Sequence, residues 1–483
     1  MNNMQSKVVN GLVWRFAERI CAQGVSLVVS IILARLLMPS DYGAISMVLV
    51  FIAIANVFVD AGFCNALVQK KECDSVDFST AFYFNMAFSI LLYFLLFGAS
   101  PMIADFYGMP VLSPVMRIFA LQIIIAGVKS TQVAYVQRNM LFRKFFWSTL
   151  GGTFFSGIVG IVMAYHGFGV WSIVAQYLLN SSIDTTVLWF TVKWRPTLEF
   201  SFKRWKSLFN YGWKLLIWSL SSTLYDNLRN LIIGKKYSSS DLAFYTKGKQ
   251  WPNLLISNIN TSISSVLFPA LSQYQDNLPK LKSMTRKAMS LSSYILGPML
   301  LGMAALSTPI ISLLLTDKWL EAVPYMIICC FYLVLMPMQT ANLEAIKAMG
   351  RSDIILKLEV IKKIVQITLL IVSMHFGVMA IAASAIITTL FACIVNAWPN
   401  RKLLQYGYGE QMKDMLPNLT ISAIMSVVVF FLAKYMSGKL SQIIIIVCGI
   451  ICGIIIYWIL SIITRNVAYQ YLFNYLKRKI KDR

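Results

Sequence analysis

The sequence predicts an all-α integral membrane protein with about fourteen transmembrane helices, arranged as two pseudo-symmetric six-helix lobes around a central cavity and followed by two C-terminal helices. Three observations support this prediction. First, 58% of the 483 residues are hydrophobic, against roughly 45–50% in soluble domains. Second, apolar runs long enough to cross a bilayer recur along the whole chain. Third, short segments of the first half reappear in the second half.

Each predicted helix corresponds to one apolar run. The hydrocarbon core of a bilayer takes roughly 20 helical residues, and the runs approach or exceed that length. They cover residues 11–37, 42–68, 79–104, 112–137, 144–165, 168–192, 209–236, 242–272, 288–315, 322–346, 354–375, 377–398, 416–436 and 440–464. The first run is too long for the apolar region of a signal peptide and has no small-residue cleavage site after it, so we expect no cleaved signal.

Lysine and arginine concentrate in alternate connections between the runs. These cations are Lys70, Lys71, Arg138, Arg143, Lys144, Lys193, Arg195, Lys203, Arg204, Lys206, Lys280, Lys282, Arg286, Lys287, Lys347, Arg351, Arg401, Lys402 and Lys413. Exceptions in the other connections are Lys235, Lys236, Lys318, Lys434 and Lys439. Because cationic loops stay on the cytoplasmic side, we expect both termini in the cytoplasm. The same bias explains the net charge of +23 without any binding of nucleic acid.

Internal similarity relates the two halves of the chain. Residues 33–42 match residues 233–242 at an offset of 200, through Leu-Ala-Arg…Ser-Asp-Tyr and Ile-Gly-Lys…Ser-Asp-Leu. The turn His-Gly-Phe-Gly-Val at 166–170 recurs as His-Phe-Gly-Val at 375–378. Because about six helices separate the repeats, both halves share one orientation, and a substrate site is expected between them near the membrane midplane.

These similarities predict four parts. Residues 1–193 form an N-lobe of helices 1–6, and residues 194–208 form a basic linker at the cytoplasmic surface. Residues 209–400 form a C-lobe of helices 7–12. Residues 401–483 hold helices 13 and 14 and a basic cytoplasmic tail.

Charged side chains inside the apolar runs are the first candidates for function. Arg15 and Arg19 lie four residues apart on one face of the first predicted helix. Ionisable groups at membrane depth are costly, so they usually face a protein interior or a water-filled cavity. An alternative for Arg15, close to the helix start, is that it snorkels to the lipid headgroups. Asp60, Asp184 and Asp226 are candidates for ion coupling for the same reason.

The eighth predicted helix carries a polar stripe. Its members, spaced by four and three residues, are Thr246, Gln250, Asn253, Ser257, Asn260 and Ser264. Lipid cannot satisfy their hydrogen bonds, so the stripe meets either a wet cavity or other helices, as interhelical hydrogen bonds. Lys247 flanks the stripe, and Arg229 lies on an aromatic and polar face of the seventh predicted helix.

The sequence lacks the motifs typical of ATP hydrolysis, nucleophilic catalysis and metal binding. No Gly-x-x-x-x-Gly-Lys loop occurs, so we do not expect ATP hydrolysis. No nucleophile motif such as Gly-x-Ser-x-Gly is present, and the eight cysteines lack metal-ligand spacing with histidine. We therefore expect no catalytic residue, no metal and no cofactor.

Several motifs resemble those of one transporter family. They are Gly11-Leu-Val-Trp-Arg15, Ala34-Arg-Leu-Leu-Met-Pro-Ser-Asp-Tyr-Gly43, Asp60-Ala-Gly-Phe63 with Leu67-Val-Gln69, Tyr225-Asp-Asn-Leu228 with Ile233-Gly234, and Leu267-Phe-Pro-Ala-Leu-Ser272. In these motifs the chain resembles the polysaccharide-exporting flippases, of the O-antigen and colanic-acid repeat-unit type, in the multidrug/oligosaccharidyl-lipid/polysaccharide superfamily. The resemblance extends over nearly the whole chain.

This resemblance implies a multi-pass protein of the bacterial inner membrane, not an enzyme. It implies movement of undecaprenyl-diphosphate-linked oligosaccharide to the outer leaflet by alternating access, for O-antigen, capsule or exopolysaccharide assembly. It also implies a cationic cavity for the diphosphate, at positions matched here by Arg15, Arg19, Arg229 and Lys247. The partners implied are membrane lipids, Na⁺ or H⁺ and proteins of polysaccharide assembly.

A second interpretation is a cation-coupled drug antiporter of the same superfamily. Such a protein needs an acidic, aromatic cavity, whereas the intramembrane excess of this chain is cationic. A diphosphate is bound bidentately by arginine and as a point charge by lysine, which favours the flippase. Two driving forces stay open at this level: an ion gradient acting through a carboxylate, and consumption of the product in the outer leaflet.

Overall fold

The computed structural model describes residues 2–60, 63–70 and 73–481. Every regular element in these residues is helical, so the predicted all-α class is confirmed. The helices are α1 (Asn2–Leu36), α2 (Pro39–Asp60), α3 (Phe63–Gln69), α4 (Ser75–Tyr107), α5 (Leu112–Phe119), α6 (Leu121–Arg138), α7 (Arg143–Tyr165), α8 (Val170–Thr191), α9 (Phe202–Lys236), α10 (Ser239–Ser272), α11 (Leu278–Ala305), α12 (Ser307–Leu315), α13 (Val323–Leu333), α14 (Met336–Ala348), α15 (Ser352–Ser373), α16 (Val378–Leu403), α17 (Tyr408–Met436), α18 (Gln442–Ile463) and α19 (Val467–Lys481). A 3₁₀ helix covers Asp317–Ala322.

Within the described residues, 11 helical segments are long and apolar enough to cross a membrane by length and composition. They are Ala17–Leu36, Pro39–Val59, Ser75–Tyr107, Leu112–Arg138, Arg143–Tyr165, Ser239–Ser272, Leu278–Ala305, Asp317–Ala348, Val378–Leu403, Tyr408–Met436 and Gln442–Ile463. The protein is therefore a multi-pass membrane protein. The expected helices at 168–192, 209–236 and 354–375 form α8, α9 and α15, which are outside this set. The total of about fourteen spans stays a prediction.

Some apolar runs form two helices instead of one. The run at 322–346 divides between α13 and α14, where Pro337 lies in the first turn of α14 and donates no backbone hydrogen bond. The run at 288–315 divides at Leu306, between α11 and α12. Apolar character predicts that a segment is buried in lipid or protein, but it does not locate such breaks.

The chain separates into two compact units, Met1–Ala243 and Phe244–Arg483. In the first unit, α7 packs closely on α1 and α8. A Cβ added to Gly157 would lie 2.4 Å from Val29 of α1, and one added to Gly152 would lie 2.9 Å from the Asn180 carbonyl oxygen of α8. Small residues allow this close approach between helix backbones. The expected lobe and linker boundaries stay a prediction.

An aromatic core holds the other helices of the first unit together. The centre of the Trp194 ring lies 5.6 Å from that of Phe78 and 6.5 Å from that of Tyr135, and the Phe78 and Tyr135 rings are themselves 5.6 Å apart. Trp194 is buried although it lies in the expected surface linker. The segment around it therefore packs against α4 and α6, and α9 already begins at Phe202, inside the expected linker.

The two segments that match at an offset of 200 have the same local structure. The backbone N–H of Met38 donates to the Asp41 carboxylate at 3.1 Å, and that of Ser238 donates to the Asp241 carboxylate at 3.1 Å. In each case the carboxylate caps the start of a new helix after a short break, α2 or α10. This shared construction agrees with the sequence repeat, while the arrangement of two pseudo-symmetric lobes stays a prediction.

In the second unit, α11 and α17 are joined along their length. Arg286 forms an ion pair with Asp414 at 2.5 Å, and the amide of Asn418 donates to the Ser293 hydroxyl at 2.7 Å. Tyr406 donates its hydroxyl to the same Asp414 carboxylate at 2.7 Å. These polar contacts fix α17 to the rest of the second unit.

Candidate functional site

The first helix carries two cations with different surroundings. Arg15 forms an ion pair with Glu18 at 2.6 Å, and its guanidinium lies 4.8 Å from the centre of the Phe145 ring on α7. Arg19 is exposed, one turn further along α1, and forms no ion pair among the described residues. Glu18 therefore neutralises Arg15, whereas the charge of Arg19 is available to an anion.

Asp184, one of the three carboxylates expected to couple to an ion, forms a partly buried ion pair. Its Oδ2 contacts the Nζ of Lys129 on α6, and the side chains of Lys129 and Asp184 are 29% and 8% exposed. The pair lies 55 positions apart in sequence, so sequence patterns did not reveal it. Lys129 provides the positive charge that a buried carboxylate requires.

Buried acceptors without a partner occur on α6 and α8, the two helices of this ion pair, and on α4. Asn85 donates to Ser130 at 2.9 Å, and Gln122 donates to Ser181 at 3.0 Å. Four of the buried side-chain oxygens without a hydrogen-bond partner among the described residues are on these helices: Asn85 Oδ1, Gln122 Oε1, Gln132 Oε1 and Asp184 Oδ1. All four are oxygens, and such acceptors suit a water molecule or a small cation.

The remaining candidate residues of the first unit are Asp60 on α2, and Asp226 and Arg229 on α9. Asp226 is exposed on α9, and Arg229 on the same helix is partly buried. The side chain of Asp60 lies outside the described residues. Of the three candidate carboxylates, Asp184 is the one with a described ion pair, to Lys129. No group of three or more His, Cys, Asp or Glu side chains in the described residues could hold a metal.

In the second unit, Lys247 is buried because α10 packs tightly at this level. A Cβ on the adjacent Gly248 would lie 2.6 Å from the carbonyl oxygen of Ala322. Lys247 is 7% exposed, and Gln250 and Asn253 are partly buried. Burial of a lysine is expensive unless polar groups or water meet it, so this part of α10 presents a polar interior.

The polar stripe changes character along α10. Ser257 is exposed and donates to its own helix, to the Leu254 carbonyl oxygen at 3.1 Å. Asn260 accepts a hydrogen bond from Thr340 of α14 at 2.6 Å. The stripe is therefore partly an interhelical contact, as one of the two alternatives predicted, and partly an exposed polar face. The expected central cavity, lined by the first, second, seventh and eighth predicted helices (α1, α2, α9 and α10), stays a prediction.

An apolar cavity of about 550 Å³ lies in the second unit. Its walls come from α10, α11, α12, α17 and α18 and include Tyr294, Met299, Met425, Gly453 and Trp458. The sequence did not indicate it, because the residues that line it are almost all apolar, as they would also be on a surface that faces lipid. A cavity with such walls accepts an apolar chain.

Comparison with known proteins gives the family. A family model described as "Polysaccharide biosynthesis protein" matches residues 32–324. The chain is 24% identical over 396 residues to the lipopolysaccharide biosynthesis protein WzxC of Escherichia coli (strain K12), covering 82% of this chain and 80% of WzxC. It is 22% identical over 469 residues to the succinoglycan biosynthesis transport protein ExoT of Rhizobium meliloti (strain 1021), covering 95% and 93%.

A solved structure has the same fold. The lipid II flippase MurJ, in an inward closed conformation, matches with a TM-score of 0.77 at 16% identity, covering 94% of this chain and 99% of MurJ. At this identity the likeness concerns the fold alone. The family model covers more than half of the chain, which confirms the resemblance found in its motifs: the protein belongs to the polysaccharide biosynthesis protein family.

Proposed function

We propose that this protein is a flippase that translocates undecaprenyl-diphosphate-linked oligosaccharide repeat units across the bacterial inner membrane. It works by alternating access between two six-helix lobes, in a chain of about fourteen spans with both termini in the cytoplasm. The observation that carries the proposal is the exposed, unpaired charge of Arg19 in the apolar first helix. The names of WzxC and ExoT support a polysaccharide precursor as the cargo.

The cationic residues fit the chemistry of the cargo. A lipid-linked diphosphate is an anion on an apolar tail, and it loses water when its headgroup leaves the leaflet surface. Arg19 replaces that hydration with charge-assisted, bidentate hydrogen bonds. Arg15 joins it when the diphosphate displaces Glu18, and Arg229 and Lys247 bind the headgroup later in the cycle.

The rest of the cargo needs two other kinds of surface. Hydrated sugars require hydrogen-bonding groups, which Gln250, Asn253 and Ser257 provide on α10. The polyprenyl tail requires an apolar surface, and the 550 Å³ cavity of the second unit offers one. Each surface suits one part of the cargo.

Transport against a gradient needs an energy source. The partly buried pair of Lys129 and Asp184, with its unpaired Oδ1 atom, is the coupling site that the structure supports best. Binding of H⁺ or Na⁺ to Asp184 competes with Lys129, so occupancy of the site changes the charge inside the first unit. Asp60 and Asp226 are the alternative coupling residues.

A charge series at Arg19 tests the proposal. Arg19→Ala should lower surface polysaccharide at least about tenfold, because one charge-assisted interaction contributes roughly 1.5–3 kcal/mol. Arg19→Lys should keep part of the activity, because lysine retains the charge but not the bidentate geometry. The measurement is surface polysaccharide in a host that lacks its own copy of the gene, with membrane protein levels determined in parallel.

The control is Lys413→Ala, which removes an exposed cation of α17 and should leave export unchanged. Normal export by Arg19→Ala would contradict the proposal. If that variant exports normally and Asp184→Asn instead loses efflux of a cationic dye, the protein is a drug antiporter.

A further inference from the structure

A groove between α10 and α11 in the second unit is separate from the site described above. Its volume is about 760 Å³. Its walls are mostly aliphatic and include Ile263 and Leu267 of α10 with Ala288 and Leu291 of α11. An open groove with apolar walls on a membrane protein accepts an acyl chain without any polar cost.

A cation and a tyrosine lie at this groove. Lys287 of α11 and Tyr471 of α19 both contribute to its lining, and the Lys287 Nζ lies 5.5 Å from the centre of the Tyr471 ring. Lys287 is exposed, so its ammonium group can bind an anion while its stem covers apolar surface. The groove therefore combines an apolar channel with a positive charge.

A short, well-defined turn brings α19 to this place. α18 ends at Ile463 and α19 begins at Val467. The Asn466 side chain donates to Asn418 of α17 at 2.7 Å and accepts from the backbone N–H of Ala468 at 2.9 Å. Asn466 thus caps α19 and fixes its start to the membrane-spanning part of the second unit. Because α18 is a membrane-spanning segment, α19 starts at the level of the lipid headgroups.

The sequence of α19 is that of a helix at a membrane surface. Tyr469 and Phe473 stack on each other with ring centres 5.8 Å apart, and Phe473 is 53% exposed. The polar residues Gln470, Asn474 and Lys477 follow a different face at helical spacing. The sequence also places five cations within seven residues: Lys477, Arg478, Lys479, Lys481 and Arg483. Basic clusters next to a membrane span attract anionic lipid.

We propose that the groove between α10 and α11 binds an anionic phospholipid of the surrounding leaflet, with an acyl chain in the groove and its phosphate held by Lys287. The headgroup-level position of α19 favours a bulk membrane lipid as the occupant. The positive charge at the groove selects an anionic headgroup over a zwitterionic one. Bound lipid would hold α19 against α11, so this contact would depend on the content of anionic lipid in the membrane.

Native mass spectrometry of the full-length protein in detergent tests this proposal. The probes are phosphatidylglycerol and phosphatidylcholine with identical acyl chains. We expect the protein to retain phosphatidylglycerol at least about fivefold better than phosphatidylcholine, because one lysine beside an anionic headgroup strengthens binding by about that factor. Lys287→Ala should reduce that retention by about the same factor, whereas Lys413→Ala should not change it.

A second variant tests the groove itself. Ala288→Phe fills the groove between the helices and should reduce retention of both lipids, while the unfolding midpoint without lipid shows whether the variant is folded. Three results would overturn the proposal: equal retention of the two lipids, equal effects of Lys287→Ala and Lys413→Ala, or displacement of phosphatidylglycerol by an equimolar amount of undecaprenyl phosphate. The last result would assign the groove to the transported lipid.

Discussion

One polar contact from each unit illustrates two ways in which this protein satisfies buried polar groups. In the first unit, a charged pair joins α6 to α8, where Lys129 contacts Asp184. In the second unit, a neutral pair joins α14 to α17. Asn342 donates to the Gln411 Oε1 at 2.7 Å, and Gln411 donates back to the Asn342 Oδ1 at 2.9 Å.

The two pairs differ in whether one of their groups can change its charge. A carboxylate inside a membrane protein gains or loses charge when it binds a proton or a cation, and its surroundings then rearrange. Two amides that exchange hydrogen bonds have no charge to change, and a satisfied polar pair gives rigidity. The contact between Asn342 and Gln411 is therefore a fixed support of the second unit, whereas a carboxylate takes part in the contact between Lys129 and Asp184.

Breaking the charged pair should give the larger loss of stability. Asp184→Leu leaves the ammonium of Lys129 mostly buried without its partner, and we expect the free energy of unfolding to fall by about 3 kcal/mol. The measurement is an unfolding titration with sodium dodecyl sulfate, followed by circular dichroism. The double variant Lys129→Met with Asp184→Leu removes both charges and should recover most of this loss. A double variant as unstable as the single one would show that packing, not charge, holds α6 to α8.

Breaking the neutral pair should cost less. Gln411→Leu removes the acceptor of the Asn342 amide and leaves a buried donor unsatisfied, which costs about 1–3 kcal/mol. Amides do not titrate between about pH 5 and pH 8, so the loss of unfolding free energy should be the same at both ends of this range. The same detergent titration at the two pH values measures it. A loss that changes with pH would mean that an ionisable group takes part in the second unit's contact as well.

Sequence patterns located the helices better than the contacts that distinguish the units. Apolar length marks a membrane span regardless of the fold around it, so the runs that became α4 and α18 were recognisable. The positions 33–42 and 233–242 were matched correctly because a carboxylate cap, Asp41 or Asp241, leaves a fixed local motif.

Contacts between distant segments leave no such motif. Lys129 and Asp184 were each visible as charges in apolar helices, but nothing in their spacing indicates that α6 and α8 place them together. For the polar stripe on α10, the helical spacing was clear from the sequence, but the residues of other helices that contact it were not. Thr340, which donates to Asn260, lies 80 positions away.

A surface pair provides the smallest expected effect and a check on the role of burial. Arg204 donates a hydrogen bond to Asp74 and thereby lowers the pKa of that exposed carboxyl below its ordinary value. Arg204 also lies 3.4 Å from the buried Asp77, but Asp77 has a second cationic partner, Lys70, at 2.6 Å. Since the folded-state pKa is the lower one, the pair stabilises the protein above the ordinary pKa of aspartate and loses this effect as the pH falls through the folded-state value.

Arg204→Gln should therefore destabilise the protein slightly at neutral pH and should make the unfolding midpoint fall less on acidification from about pH 5 to pH 3. Thermal unfolding in detergent at the two pH values measures both. An effect as large as that of Asp184→Leu would remove the distinction between buried and exposed pairs.

The most direct test of the proposed function is transport by the purified protein in liposomes. The measurement compares a polyprenyl diphosphate that carries an oligosaccharide with a neutral polyprenyl glycoside of the same oligosaccharide, using an external lectin to detect the sugar that crosses. Our account predicts that only the diphosphate-linked sugar crosses faster than in protein-free liposomes, and that Arg19→Ala abolishes the difference. Equal transport of the neutral glycoside, or transport of the diphosphate that is unaffected by Arg19→Ala, would contradict it.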